Sequence, residues 1–256
     1  MIKPILAVLA STILIAACDD SSNSPNTGSN STNSSWNCPN ADEPLIDTRD
    51  GKVYKTVRIG NQVWMAENLN YETNYSWTND SLDKDGTIYG RYYEHGPAKT
   101  ACPEGWHLPS RDEFRELIKA VSRDTLAAWN LKTTSGWLQD EDGHNVNGGD
   151  TYCFGAKAAG EMTEQYPNAY SIGEYARFWT KDTYKPTRYD PTYNITYNDP
   201  EEAFVLEIAN DTNEVSITGH RTYYASNIRC LKGEPEPELY TQEPNSTCCS
   251  DNSGNQ

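Results

Sequence analysis

Two periods organise the apolar positions of this chain. From Lys52 to Ile59, Val53, Lys55, Val57 and Ile59 alternate with Tyr54, Thr56 and Arg58, the period-two pattern of a half-buried strand. Gly60-Asn61 supplies a two-residue turn, and Gln62 to Met65 returns as the second arm of a hairpin. Helical spacing follows later. Ser110 with Glu113 three residues on forms a capping box, and Phe114, Leu117, Ile118 and Val121 then recur on one face. A weaker helix is expected from Asp124 to Asn130. Strands return in the last third: Ala203 to Ala209, a turn over Asn210 to Asn213, Val215 to Thr218, and a final strand from Ala225 to Leu231. The stretch from Gln139 to Pro200 is rich in Gly, Asp, Asn and Pro and predicts few regular elements. The pattern predicts an α+β domain with few helices, twisted antiparallel strands and long loops.

Both ends of the chain depart from this pattern. Lys3 and the apolar run Ile5 to Ile15 lead into Ile15-Ala16-Ala17-Cys18. That run is too short to span a bilayer. A large apolar residue and two small ones before a cysteine have the shape a lipoprotein signal peptidase requires. Residues 1–17 are therefore expected to be a signal peptide, with Cys18 lipidated and tying the mature chain to a membrane by its acyl chains. Residues 18–36, mostly Asp, Ser, Asn, Thr, Pro and Gly, predict a disordered tether, and the acidic, Pro-containing residues 233–256 a disordered tail. Between them, 37–232 is long enough for one domain with a sizeable core.

Composition narrows the partners. The formal charge is −16 at pH 7, one unit more negative once Lys3 is lost. A protein this acidic repels phosphate backbones, which argues against nucleic-acid binding and leaves neutral sugars or cations. Aromatics are lopsided, 17 Tyr and 7 Trp against 4 Phe. Tyr and Trp suit flat binding surfaces, although a thin β-rich core would use them equally well. Beyond Cys18 six cysteines remain (Cys38, Cys102, Cys153, Cys230, Cys248 and Cys249), an even number suited to disulfides after export to an oxidising compartment. There is no Cys-x-x-Cys pair, so a zinc ribbon or a thioredoxin-like site has no support.

Several segments resemble one family. Val57-Arg-Ile-Gly-Asn-Gln-Val-Trp-Met-Ala-Glu-Asn-Leu-Asn70 is similar to the opening motif of the Fibrobacter succinogenes major paralogous domain. Tyr89-Gly-Arg-Tyr-Tyr93, Cys102-Pro-Glu-Gly-Trp-His-Leu-Pro-Ser110, Leu131-Lys-Thr-Thr-Ser-Gly-Trp137, Phe178-Trp-Thr180 and Ile228-Arg-Cys-Leu-Lys232 follow in the family's order. The resemblance covers roughly Glu43 to Lys232. It departs between Asp140 and Gly160, where Tyr152-Cys-Phe-Gly155 replaces a Tyr-Gly-Phe-Ser-like segment. The Trp106-to-Phe114 and Arg229-Cys-Leu231 elements also look like those of formylglycine-generating enzymes and wider C-type-lectin-like folds. That implies a compact domain whose ends meet in a small sheet, with long loops on one side. It implies no activity, because function lives in the site rather than the fold. The favoured disulfide is Cys102 with Cys230, tying the segment before the helix to the closing strand. Cys38 with Cys153 is the second choice, and Cys248 and Cys249 are left to pair with another chain or stay free.

No enzyme is expected. An oxidase of the formylglycine-generating type needs a reactive cysteine pair, and only Cys230 stands in the right part of the domain. There is no Gly-x-Ser-x-Gly elbow and no His-Glu-x-x-His helix. His95, His107, His144 and His220 lack ligand spacing, and His107 between Trp106 and Leu108 reads as a packed core histidine. An EF-hand over Ser81 to Tyr92 fails for want of its bidentate carboxylate. Asp140, Asp142, Asn145, Asn147 and Asp150 hold the oxygens for a looser calcium site, but a solvated polar loop is the simpler reading, so neither metal nor cofactor is expected. Glu243-Pro244-Asn245 matches a lectin sugar motif but follows the final strand instead of preceding it. Sugar binding would instead rest on exposed rings, for which Trp77, Tyr170, Tyr175, Tyr184, Tyr189 and Tyr193 are the candidates. The expectation is a lipid-anchored, non-catalytic module for binding or adhesion at the cell envelope, at the outer membrane or cell surface, with polysaccharide as the candidate ligand. The alternative is a structural lipoprotein acting through protein contacts.

Overall fold

The computed structural model describes residues 36–122, 126–164, 166–235 and 240–241. The expected signal peptide, Cys18, most of the expected tether, Cys248, Cys249 and most of the expected tail lie outside the described residues. Residues 36 and 37 fall with the preceding segment, and every element below belongs to the unit that begins at Cys38.

The domain opens with strands β1 (Leu45–Ile46), β2 (Val53–Tyr54), β3 (Thr56–Ile59) and β4 (Gln62–Met65). The expected hairpin is β3 and β4, with Ile59 opposite Gln62 across Gly60-Asn61. The single strand expected from Lys52 to Ile59 breaks at Lys55, because β2 pairs with β1 instead. Tyr54 turns inward and its hydroxyl accepts from Asn70 N, while Val53 is left 60% exposed. At the break, Lys55 N donates to Glu67 and its carbonyl accepts from Ala66 N.

Next come β5 (Ser76–Trp77), β6 (Tyr92–Glu94), α1 (His95–Ala101), β7 (Trp106–His107), α2 (Arg111–Val121) and α3 (Ala127–Leu131). Helix α1 is not among the expected elements. Pro97 falls in the first turn, where a missing N–H costs nothing. Helix α2 begins on the expected capping box, with Glu113 N donating to Ser110 Oγ and Ser110 N to Glu113 Oε2. Its buried stripe is Phe114, Leu117, Ile118 and Val121. The weaker helix starts at Ala127 rather than Asp124, which lies outside the described residues. Just past α3, the buried Lys132 Nζ donates to Asn210 O and Thr212 O. Burial pulls its pKa down to about 8, against the raising effect of Asp211.

The remaining strands are β8 (Glu161–Thr163), β9 (Tyr166–Tyr170), β10 (Tyr175–Tyr184), β11 (Thr187–Asp190) and β12 (Ile195–Asn198), then β13 (Glu202–Ala209), β14 (Val215–Arg221), β15 (Tyr224–Ser226), β16 (Leu231–Lys232) and β17 (Tyr240–Thr241). Five of these correct the expectation of few elements between Gln139 and Pro200. Strand β10 is buried along most of its length, so polar Thr180, Lys181 and Asp182 stand inside it and erase the alternation. Their partners explain why they are tolerated: Asp182 Oδ2 accepts from Arg111 N, and Lys181 N donates to Pro109 O. The hairpin β13–β14 runs as expected but longer. The expected final strand is split. β15 and β16 sit in different sheets, and Ile228, Arg229 and Cys230 between them are buried without strand pairing. In the expected tail, Tyr240 and Thr241 pair in parallel with Thr183 and Tyr184.

Three main sheets result, in the orders β14-β13-β10-β17, β5-β6-β15-β8-β9 and β3-β4-β16-β7. The described residues are thus mostly sheet with three helices, an α+β domain. Met65, Leu69, Tyr93, Leu108, Trp179, Val205, Ile228 and Cys230 share one buried core. Cys102 is disulfide-bonded to Cys230, and Cys38 to Cys153. No helix among the described residues is long and apolar enough to cross a membrane.

Candidate functional site

The sheet β5-β6-β15-β8-β9 carries an open cleft of about 730 Å³, lined by Glu94, Thr163, Glu164, Asn168, Tyr170, Tyr223 and Tyr224. Strand pairing assembles it. Tyr224 lies opposite Thr163, and Glu161 opposite Tyr170. The next pair along, Ala225 with Met162, joins Tyr92 and Ala159 in a small buried cluster. Gly160 lets β8 and β9 close on each other. Its φ is 66°, and a Cβ there would meet the Tyr170 carbonyl at 2.0 Å.

The floor is built from aromatic rings and charge. Tyr223, 50% exposed in the turn after β14, stacks on Tyr224 with centroids 4.9 Å apart. Tyr224 packs on His220 at 4.7 Å, His220 on Trp179 at 5.5 Å, and Trp179 on His95 at 5.1 Å. His220 Nε2 lies 2.8 Å from Glu161 Oε2, close enough for an ion pair although off the line of a good hydrogen bond. Glu161 Oε1 meets Arg177 Nη1 at 2.8 Å, and Arg177 Nε meets Glu207 Oε2 at 2.6 Å. Burial pushes the Glu161 carboxyl up, but His220 and Arg177 outweigh it and hold the pKa below the usual range. Burial, then the charge of Glu161, raises the Tyr170 hydroxyl above its ordinary value. The Tyr170 ring remains 36% exposed.

An arrangement of exposed ring faces, carboxylates, an amide and a hydroxyl suits a flat, hydroxylated ligand. Rings take up the apolar face, and the polar groups take up hydroxyls.

Of the six rings expected to stack on sugar, Tyr170 alone lines this cleft among the described residues. Tyr184 is a correction. It is 4% exposed, stacked on Phe204 at 4.7 Å, its hydroxyl donating to Glu202. It packs over Gly219, where a Cβ would strike its hydroxyl at 1.8 Å. Trp77 is partly buried against the small cluster below the sheet, and Tyr175 is half-buried with the Arg177 guanidinium over its ring. Tyr193, 69% exposed, stands between β11 and β12, and the side chain of Tyr189 lies outside the description. Tyr223, Tyr224, Glu94, Glu164 and Asn168 were missed. The available signal was the doubled tyrosine just before the final strand.

The other candidates resolve as local structure. Asp140 accepts from Asp142 N, His144 N and His144 Nδ1; Asn147 Oδ1 accepts from Trp137 N; Asp150 Oδ1 accepts from Gly155 N. These oxygens close their own loop, and among the described residues no three His, Cys, Asp or Glu form a group that could hold a metal ion. His107 bonds Glu113 Oε1 and Gly233 O, as a packed core histidine does. His220, expected to stand alone, sits against Glu161.

The model of the Fibrobacter succinogenes major domain family matches residues 57–232. Neither a curated protein nor a solved structure matches the chain.

Proposed function

Given that the chain belongs to the Fibrobacter succinogenes major domain family, we propose that it is a non-catalytic module of the cell envelope that binds polysaccharide through the cleft at Tyr170, Tyr223 and Tyr224. The observation that carries this reading is Tyr223, half-exposed and backed by Tyr224 in a cleft with polar walls. A large ring presented this way offers contact area at little entropic cost. The fold is read as C-type-lectin-like. Supporting this, β16 near the domain's end lies between β4 and β7, so that its opening and closing segments share a sheet.

Titration of purified protein against envelope and plant-type polysaccharides tests the reading. At least one should bind, and Tyr223→Ala should weaken it about tenfold, ~1.4 kcal/mol. Binding unchanged by Tyr223→Ala would remove the cleft from the account. The anchor belongs to the same proposal and rests on Ile15-Ala16-Ala17-Cys18. Intact-mass analysis of native protein should show residues 1–17 gone and acyl chains on Cys18, and inhibiting the lipoprotein signal peptidase should restore the longer chain. A native protein with Met1 and no fatty acid contradicts it.

One observation favours the structural alternative. Ile46 and Val53, paired across β1 and β2, are 62% and 60% exposed, an apolar spot suited to a protein contact. Crosslinking in cells that recovers a protein partner at this hairpin, with no polysaccharide bound, would favour it.

A further inference from the structure

The charge of the cleft narrows its ligand. Glu94 and Glu164 both line it, and among the described residues no lysine or arginine does. Among the described residues neither carboxylate has an ion-pair partner. Burial, and after it the charge of Glu164, raises the Glu94 carboxyl above its usual range. Two arginines stand near this wall without lining the cleft. Arg177 is held between Glu161 and Glu207 below the floor, and Arg221 donates to the Tyr223 hydroxyl without lining the cleft. Thr163 Oγ1, in the same wall, is buried without a hydrogen-bond partner among the described residues. The rings of Tyr170, Tyr223 and Tyr224 add negative ring faces, which attract cations.

A neutral sugar would satisfy the rings but leave two carboxylates repelling each other in a half-closed space. An anionic sugar would add a third negative charge. A protonated amine on a sugar answers both, because the pyranose face stacks on a tyrosine while the ammonium donates to the carboxylates. We propose that the cleft takes an amino-bearing polysaccharide, with an unacetylated amino-sugar unit seated between Glu94, Glu164 and the Tyr223 ring. This rests on the polysaccharide reading above and specifies its substrate class.

The test compares two oligosaccharides of equal length, one of glucosamine and one of N-acetylglucosamine, titrated into the full-length protein at a pH where the free amine is protonated. The glucosamine oligomer should bind about tenfold tighter at low salt, and the gap should narrow as salt screens the pair. E94Q and E164Q keep side-chain shape and should each shrink the preference, with unchanged circular dichroism. Equal affinity for the two oligomers overturns the amine inference while leaving polysaccharide binding intact. An oligolysine of matched charge that binds as tightly as the glucosamine oligomer overturns it too, since the sugar would then contribute nothing. Binding of neither oligomer, with other polysaccharides bound at the cleft, also overturns it. Failure of every polysaccharide sinks the broader reading instead.

Discussion

Replacing Arg229 with methionine should cost the domain about 4 kcal/mol or more, a large part of the whole stability of a typical domain. Arg229 is 1% exposed and its guanidinium bonds to two segments distant in sequence, 65–68 and 154–155. Nε donates to Asn68 Oδ1 at 2.6 Å, Nη1 to Met65 O and Phe154 O, and Nη2 to Gly155 O at 2.7 Å. The same group lies over the rings of Phe154 and Phe178, 4.7 and 5.2 Å from their centroids. None of its bonded acceptors is a carboxylate. Asp150 and Glu67 support the charge only at a distance, against a burial that lowers its pKa. Methionine fills much of the volume but leaves four acceptors facing an apolar side chain, each costing ~1–3 kcal/mol. Arg229→Lys should recover little, because one ammonium cannot reach acceptors arranged around a planar fork. Urea denaturation of both variants decides the matter, and a midpoint near that of the wild type would show that the guanidinium is not the cross-link it looks to be.

The second large effect is expected at Cys102–Cys230. The bond closes a loop of 128 residues in sequence separation, for which loop entropy alone gives ~4–5 kcal/mol. Cys230 is fully buried and packs with Leu108, Ile228 and Trp179 in the main core, with Cys102 against its edge. A double Cys102→Ser, Cys230→Ser variant therefore adds a buried, poorly satisfied hydroxyl to the lost entropy. Cys38–Cys153 has a similar separation, 115, but both of its cysteines are only half-buried. Its double serine variant should lose less, by about 1–2 kcal/mol. Parallel denaturation curves test the order. Equal losses would mean that burial at Cys230 adds nothing.

Arg229 also shows where reading the sequence stopped. The run Ile228-Arg-Cys-Leu alternates like a strand, which would turn the arginine to solvent. The structure instead gives it an irregular path with every residue buried, because backbone carbonyls of distant segments supply the partners. Strand β10 was hidden for the same reason. Asp182 within it is satisfied by the backbone N–H of Arg111 at the start of α2, a contact no local pattern reports. Elements fixed by neighbours in sequence were legible. The turn at Gly60-Asn61, the capping box at Ser110 and the β13–β14 hairpin each depend on a few adjacent residues. The cleft was legible only through Tyr170. Its other members come from β6, from β8, β9 and the turn between them, and from β15 and the turn before it, and become neighbours only through the order of a five-stranded sheet. Tyr184 illustrates the reverse. A tyrosine in a polar stretch looks exposed until Gly219 on a neighbouring strand leaves room for it to lie flat.

The central claim is that the tyrosine and carboxylate cleft is where this protein meets its ligand. Hydrogen exchange of the protein, alone and saturated with a polysaccharide that it binds, addresses that claim directly. Slowed exchange is expected at residues 92–94, 161–170 and 220–226, the strands and turns that build the cleft, and not elsewhere. Slowing at the β1–β2 hairpin instead, or nowhere in the sheet, would contradict it.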